Sequence, residues 1–297
     1  MTIATILLPD FILILLGLCL RRFTRWGDEA WAGMERMVYF VLFPALLFYS
    51  TSRMPLEFAA TGRLLQGGVL VVVSGILLGW LGKAVLRGSH KDFASGVQTA
   101  FRFNSYIGLA LASRLGGDHG TSLMALLIGF GVPVANMAAV HALMHKSGGL
   151  AKELAKNPLL IATCCGILFN LAGLHLPEVA GIVLSRMGNA SIALGLILVG
   201  AGLKLSGLTQ GRGLSAWFIA VKLLASPAVA LAYARWAGLA PLQMQILVSF
   251  AALPTASSAY VLAARLGGNG PLTAFLISAG TLASMATLPL WLYLASA

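Results

Sequence analysis

Ten apolar stretches, most of them 15 to 25 residues long, follow one another along almost the whole chain, at roughly 3–20, 37–51, 64–82, 94–114, 121–144, 157–174, 179–203, 214–237, 242–266 and 271–295. About 20 helical residues cross the hydrocarbon layer of a bilayer, and inside that layer only helices and closed barrels satisfy their own backbone groups. Runs such as VLVVVSGILLGWLGKAV are continuously apolar and lack the alternation of a barrel strand. The pattern predicts an all-α polytopic membrane protein with ten transmembrane helices. Composition excludes the soluble alternative: 59% hydrophobic and 10% charged residues leave too little polar surface to cover a globule of 297 residues. MTIATILLPD has no basic residue ahead of its apolar run, so the first stretch is expected to remain as a helix.

The formal charge is +11, a surplus that would suggest nucleic acid in a soluble protein. Here it sorts by connection. With the N-terminus outside, thirteen Lys and Arg residues, among them Arg21, Arg22, Lys83, Lys91 and Lys152, fall on one side, against Arg53, Arg63, Arg114, Arg186 and Arg235 on the other. The positive-inside rule then puts both termini on the outer side of the membrane. No nucleic-acid partner is needed. Cys19, Cys164 and Cys165 lie within apolar stretches, without zinc or disulfide spacing, and are expected to be small packing residues.

The chain also repeats itself. LASRLGG at Leu111–Gly117 returns as LAARLGG at Leu262–Gly268, an interval of 151 residues that also sets Gly129 on Gly280. Each copy falls at the end of the fourth stretch of a five-stretch half, and the longest polar connection, HKSGGLAKELAKNP, lies between the halves. Residues 1–150 and 151–297 are thus expected to be two five-helix repeats; an odd helix number inverts the second in the membrane, as in many secondary transporters. Duplicated bundles also serve as channels and scaffolds.

Binding sites in such folds lie at mid-membrane helix interruptions. The fourth stretch carries the polar group Arg102, Asn104, Ser105 and Tyr106, followed by Gly108; the ninth carries Pro254, Thr255, Ser257, Ser258 and Tyr260. At the interval of 151, Asn104 falls on Thr255 and Phe103 on Pro254, so the two interruptions coincide. Pro254 lacks an N–H and frees carbonyls, while the amide and hydroxyls offer either replacement partners or ligand contacts. Half-helix N-termini facing a shared cavity would favour an anionic group.

Arg102 and Lys222 are the clear intramembrane charges, and no Asp or Glu sits at comparable depth. They read either as sources of positive potential or as braces between helices. Asn136 needs a partner inside the membrane, Pro44, Gly200 and Gly202 suit bending and close packing, and His141 with His145 marks a polar helix end. Without paired carboxylates, a metal-ligand cluster or a nucleophile–base motif at depth, an enzyme is not expected, and no cofactor is implied.

FPALLF in the second stretch, RFNSYIGLAL, NPLLIATCCGILFNLAGLHLP, KLLASP, and ALPTASSAYVLAARLGG followed by TLPLWLYL resemble the auxin efflux carrier family, which includes bacterial malonate-type and other organic-anion permeases and plant PIN-type exporters. The resemblance implies a ten-helix fold similar to bile-acid sodium symporters, with interleaved scaffold and transport parts whose broken fourth and ninth helices cross. It places Asn104, Ser105 and Tyr106 beside Pro254, Thr255 and Ser257. Phe103 stands where the second copy has Pro254, so the first break is expected to rest on Asn104, Ser105 and Gly108. The expected function is alternating-access transport of a small organic anion, a mono- or dicarboxylate or an auxin-like acid; an anion channel and a symporter coupled to sodium or protons are the alternatives. A homodimer is compatible with this reading.

Overall fold

A computed structural model describes residues 3–53, 58–86, 89–143, 158–203, 212–256 and 258–296, and its regular elements are all helical. The connection at 144–157, with His145, and the single residue Ser257 lie outside the described residues. The helices are α1 (Ile3–Phe23), α2 (Asp28–Thr51), α3 (Phe58–Val85), α4 (His90–Val97), α5 (Ser105–Leu143), α6 (Pro158–Leu171) and α7 (Glu178–Ala201). They continue with α8 (Gly213–Trp236), α9 (Pro241–Ala252), α10 (Ser258–Arg265) and α11 (Gly270–Ser296). Six described stretches are long and apolar enough to cross a membrane: α2, Thr61–Val85 of α3, His90–Leu143, α7, α8 and α11.

The stretch His90–Leu143 is not one rod. Gly116 (φ −146°) and Gly117 (φ +54°) interrupt α5, and a Cβ on Gly120 would stand 2.4 Å from the carbonyl oxygen of Ala112. Eight residues of straight helix would separate those positions by about 12 Å. The chain therefore reverses at the glycine pair, and the second arm of α5 runs back beside the first. The corresponding LAARLGG closes differently: Gly267 has φ +73°, and the Gly268 N–H donates to the Ala263 carbonyl at 2.8 Å, a Schellman-type helix end.

Two prolines inside long helices are accommodated by wide turns. Residues Val38–Leu42 of α2 and Val221–Ala225 of α8 form π turns, in which the Phe43 and Ser226 N–H groups donate five residues back, to Val38 and Val221. Pro44 and Pro227 follow directly. A regular turn would drive each ring into the carbonyl four residues earlier, and the extra residue in the turn relieves that clash.

Helices α1, α2, α6 and α7 pack as one group, α1 on α7 and α2 on both α6 and α7; α3, α8, α9 and α11 pack with α5 as a second. The groups meet where α5 lies against α2 and α7. Polarity is inside out. Gln98 and Ser95 are fully buried, whereas Leu77 and Leu168 are each 65% exposed, the distribution expected when lipid is the solvent. Cys19, Cys164 and Cys165 are exposed rather than packed. That corrects the packing role expected for them: in lipid, a small apolar side chain sits on the outer face without cost.

Gly200 has the close-packing role that its sequence context suggests, whereas Gly202 lies just past the end of α7. A Cβ on Gly200 would stand 1.7 Å from the carbonyl oxygen of Ile14, and one on Gly17 would stand 1.9 Å from that of Ile197, so α1 and α7 touch backbone to backbone. Gly200→Leu is expected to force these helices apart and to destabilise the protein by about 1–3 kcal/mol, in the range of overpacked cores. A lowered midpoint of thermal unfolding in detergent is the readout.

Candidate functional site

Both polar interruptions are real breaks in helical structure. After α4 the chain makes a short 3-10 turn, Gln98–Ala100, and leaves helical geometry through residue 104 before α5 begins. After α9, Leu253 is extended (φ −58°, ψ 137°), and residues 253–256 are non-helical. Pro254 cannot donate to a helical ladder, which accounts for the end of α9. In the first break Asn104 does the equivalent work through its side chain. Its Oδ1 accepts from the N–H groups of Tyr106 (3.0 Å) and Ile107 (3.3 Å), satisfying donors that the start of α5 would leave unpaired.

The two breaks meet. The Asn104 N–H donates to the Pro254 carbonyl at 2.8 Å, and the Thr255 hydroxyl donates to the Thr99 carbonyl at 2.7 Å. Asn104 and Thr255 are 4% and 3% exposed, so both bonds lie in a dry interior. Although aligned in sequence, they act differently: Asn104 caps its own helix, whereas Thr255 ties its break to the other. Gly108 sits within the first turn of α5, where its N–H bonds the Asn104 carbonyl, so it does not contribute to the break as expected. Its contribution is space, because a Cβ there would stand 2.8 Å from Leu253 Cδ1.

Arg102 and Lys222 are buried, and among the described residues no Asp or Glu is. Arg102 donates to Gln98 Oε1 at 3.2 Å and to Ser258 Oγ at 3.0 Å, bridging the first break to the start of α10. Lys222, in the π turn of α8, donates to the Ala251 carbonyl at 3.1 Å, in the last turn of α9. That carbonyl has lost its helical donor four residues on because the helix stops, so the ammonium meets the negative end of the α9 dipole. Among the described residues these two buried cations have no buried carboxylate to match them, an excess of positive charge beside the breaks that favours an anion there.

Tyr106 is half-buried and faces away from the second break: its ring centroid is 4.8 Å from that of Phe43 on α2. A Cβ on Gly195 of α7 would meet Tyr106 Cβ and Phe43 Cζ at 3.3 and 3.2 Å, so this tyrosine sits where the two helix groups touch. Pro44, half-buried, adjoins Phe43. Ser105 is half-buried in the first turn of α5 and Ser258 is exposed, while Pro254 is buried. Asn136 is half-buried on the returning arm of α5, five residues past Gly131, whose Cβ position lies 3.0 Å from Phe103 Cζ. Asn136 is thus about 8 Å further along the helix and apart from the breaks. His141 is exposed and stacks on Trp80 at 5.8 Å. Gln98 and Thr99 were not singled out from sequence. The signal was there for Gln98, a polar residue one helical turn before Arg102.

Among the described residues no group of three or more His, Cys, Asp or Glu is placed to hold a metal ion. An all-helical chain with several membrane-length apolar helices, and with its polar and cationic groups gathered inside at broken helices, is an integral membrane protein built to pass a solute. Residues 147–292 match the family profile described as membrane transport protein. The chain is similar to that family of transporters, in agreement with its resemblance to the auxin efflux carriers, and not to an enzyme family. Two relatives extend the likeness over nearly the full length. One, from Methanothermobacter thermautotrophicus, is called an uncharacterized transporter and is 27% identical over 292 residues, covering 96% of this chain and 95% of its own. The other, from Rhizobium meliloti, is named as a candidate malonate transporter and is 26% identical over 306 residues, covering 98% of this chain and 95% of its own.

Proposed function

We propose that the protein is an alternating-access carrier for a small organic anion, a mono- or dicarboxylate, bound where the two helix breaks meet. The observation that carries this is the Asn104 to Pro254 hydrogen bond at 2.8 Å, flanked by buried Arg102 and Lys222 and, among the described residues, by no buried Asp or Glu. In this reading ten helices form two inverted repeats, 1–150 and 151–297, whose fourth and ninth helices cross at the breaks. The group α1, α2, α6 and α7 is the scaffold against which the rest moves. Asn104, through its Nδ2, and Ser105 bind the carboxylate directly, Thr255 joins them when its hydroxyl leaves the Thr99 carbonyl, and Arg102 and Lys222 supply positive potential. Ser257 and Ser258 complete the polar lining from the second repeat. Both termini lie outside a bacterial inner membrane. The malonate name of the Rhizobium meliloti relative supports a small dicarboxylate as the first substrate to test.

An inside-negative potential of 100 mV favours outward movement of each negative charge by about 2.3 kcal/mol. Export therefore needs no coupling ion, and uptake would. Counterflow in proteoliposomes is the test. Unlabelled malonate inside is expected to accelerate saturable accumulation of labelled malonate from outside, without sodium or a proton gradient. Non-saturating, conductive flux would make the protein a channel instead, and a strict sodium requirement would make it a symporter.

A further inference from the structure

At one end of the helix bundle, a cleft of about 800 Å³ opens between the end of α2 and the connection from α6 into α7. Arg53, His175 and Arg186 line it, with Ser52 and Asn170 among its polar groups and Glu178 as its carboxylate. Three features make it receptive to an anion. Arg186 is exposed and makes no hydrogen bond or ion pair among the described residues. The N-cap of α7 is Pro177, which gives no side-chain cap, and with Glu178 it lines the cleft, so the positive end of a 24-residue helix forms part of the wall. Arg53 lies over the Tyr49 ring at 5.0 Å and donates to the Tyr49 hydroxyl, which fixes its guanidinium at the rim.

The cleft also lies at the far end of a helix that touches the start of α5. Phe43, in contact with Tyr106, and Arg53, two residues past the end of α2, are ten residues apart, about 15 Å along the helix direction. Arg53 further lies 3.7 Å from Asp118, which follows the chain reversal in α5. This half-exposed pair is weak, and an incoming anion can replace Asp118 as the partner of Arg53.

We infer that this cleft is a second, peripheral binding site for the transported anion, a small dicarboxylate held between Arg53 and Arg186, where solute waits before reaching or after leaving the breaks. The inference rests on the carrier reading above, but its test does not require transport. In the full chain with Cys19, Cys164 and Cys165 replaced by alanine, Ser185→Cys places a thiol on the cleft wall. Malonate at about ten times its dissociation constant is expected to slow maleimide modification of that thiol about tenfold, in both neutral and anionic lipid nanodiscs. Arg186→Gln is expected to remove the protection, Arg186→Lys to restore part of it, and Asn104→Ala to leave it intact. Protection that persists in Arg186→Gln, that vanishes in Asn104→Ala, or that follows anionic lipid rather than malonate would overturn the proposal. Protection without counterflow would uphold the cleft and reject the carrier; counterflow without protection would do the reverse.

Discussion

Replacing Asn104 with aspartate is expected to abolish saturable malonate transport while leaving the fold intact. The carboxylate of Asp can accept the same two N–H bonds, from Tyr106 and Ile107, that Oδ1 accepts now. Its charge is moreover favoured at a helix N-terminus, so the cap survives. What changes is the sign of the site: a buried negative charge would neutralise one of the two buried cations and repel an incoming carboxylate. At an effective dielectric constant of 20, two like charges about 5 Å apart repel by about 3.3 kcal/mol, a loss of more than 100-fold in affinity. Asn104→Ala provides the contrast. It removes the cap, costs about 1–2 kcal/mol of stability, and should show a lowered unfolding midpoint as well as lost transport. Normal malonate transport by Asn104→Asp would remove the site from the breaks.

Lys222→Met should weaken anion binding without a change of shape. Methionine approximates the length of the lysine stem but brings no charge and no donor for the Ala251 carbonyl. A unit charge about 10 Å from a bound carboxylate contributes about 1.7 kcal/mol at the same dielectric constant, so KM for malonate is expected to rise about 15-fold. Lys222→Arg keeps the charge and should retain most of the affinity, which separates electrostatics from packing. A brace with no part in transport would give the opposite pattern, a lower unfolding temperature in Lys222→Met with KM unchanged. Both variants can be measured by counterflow at saturating and limiting malonate, so that effects on KM and on maximal rate are resolved.

Much of this protein was legible in one dimension because a membrane leaves few choices. Apolar runs about as long as a bilayer is thick must be helices, and polar residues within them must face inward. That logic points to Arg102, Asn104, Pro254, Thr255 and Lys222, all of which are buried. It misjudged residues whose effect depends on what lies opposite them. Gly108 reads as a helix breaker and instead makes room for Leu253, and sequence does not show that the ring of Tyr106 packs on Phe43. The three cysteines seemed to be packing residues because sequence does not distinguish a lipid-facing position from a core one.

The amino-acid sequence by itself determined the helical class, the positions of the two interruptions and the surplus of buried positive charge, since each follows from local chemistry: hydropathy, a missing proline N–H, an uncompensated side chain. Only the tertiary structure decided that the interruptions touch, that Thr255 reaches Thr99 while Asn104 caps its own helix, and that Lys222 closes the end of α9. The Asn104 cap is local, but the contact of Thr255 with Thr99 and that of Lys222 with α9 join residues 156 and 29 positions apart. They depend on how helices stack, which no local propensity encodes.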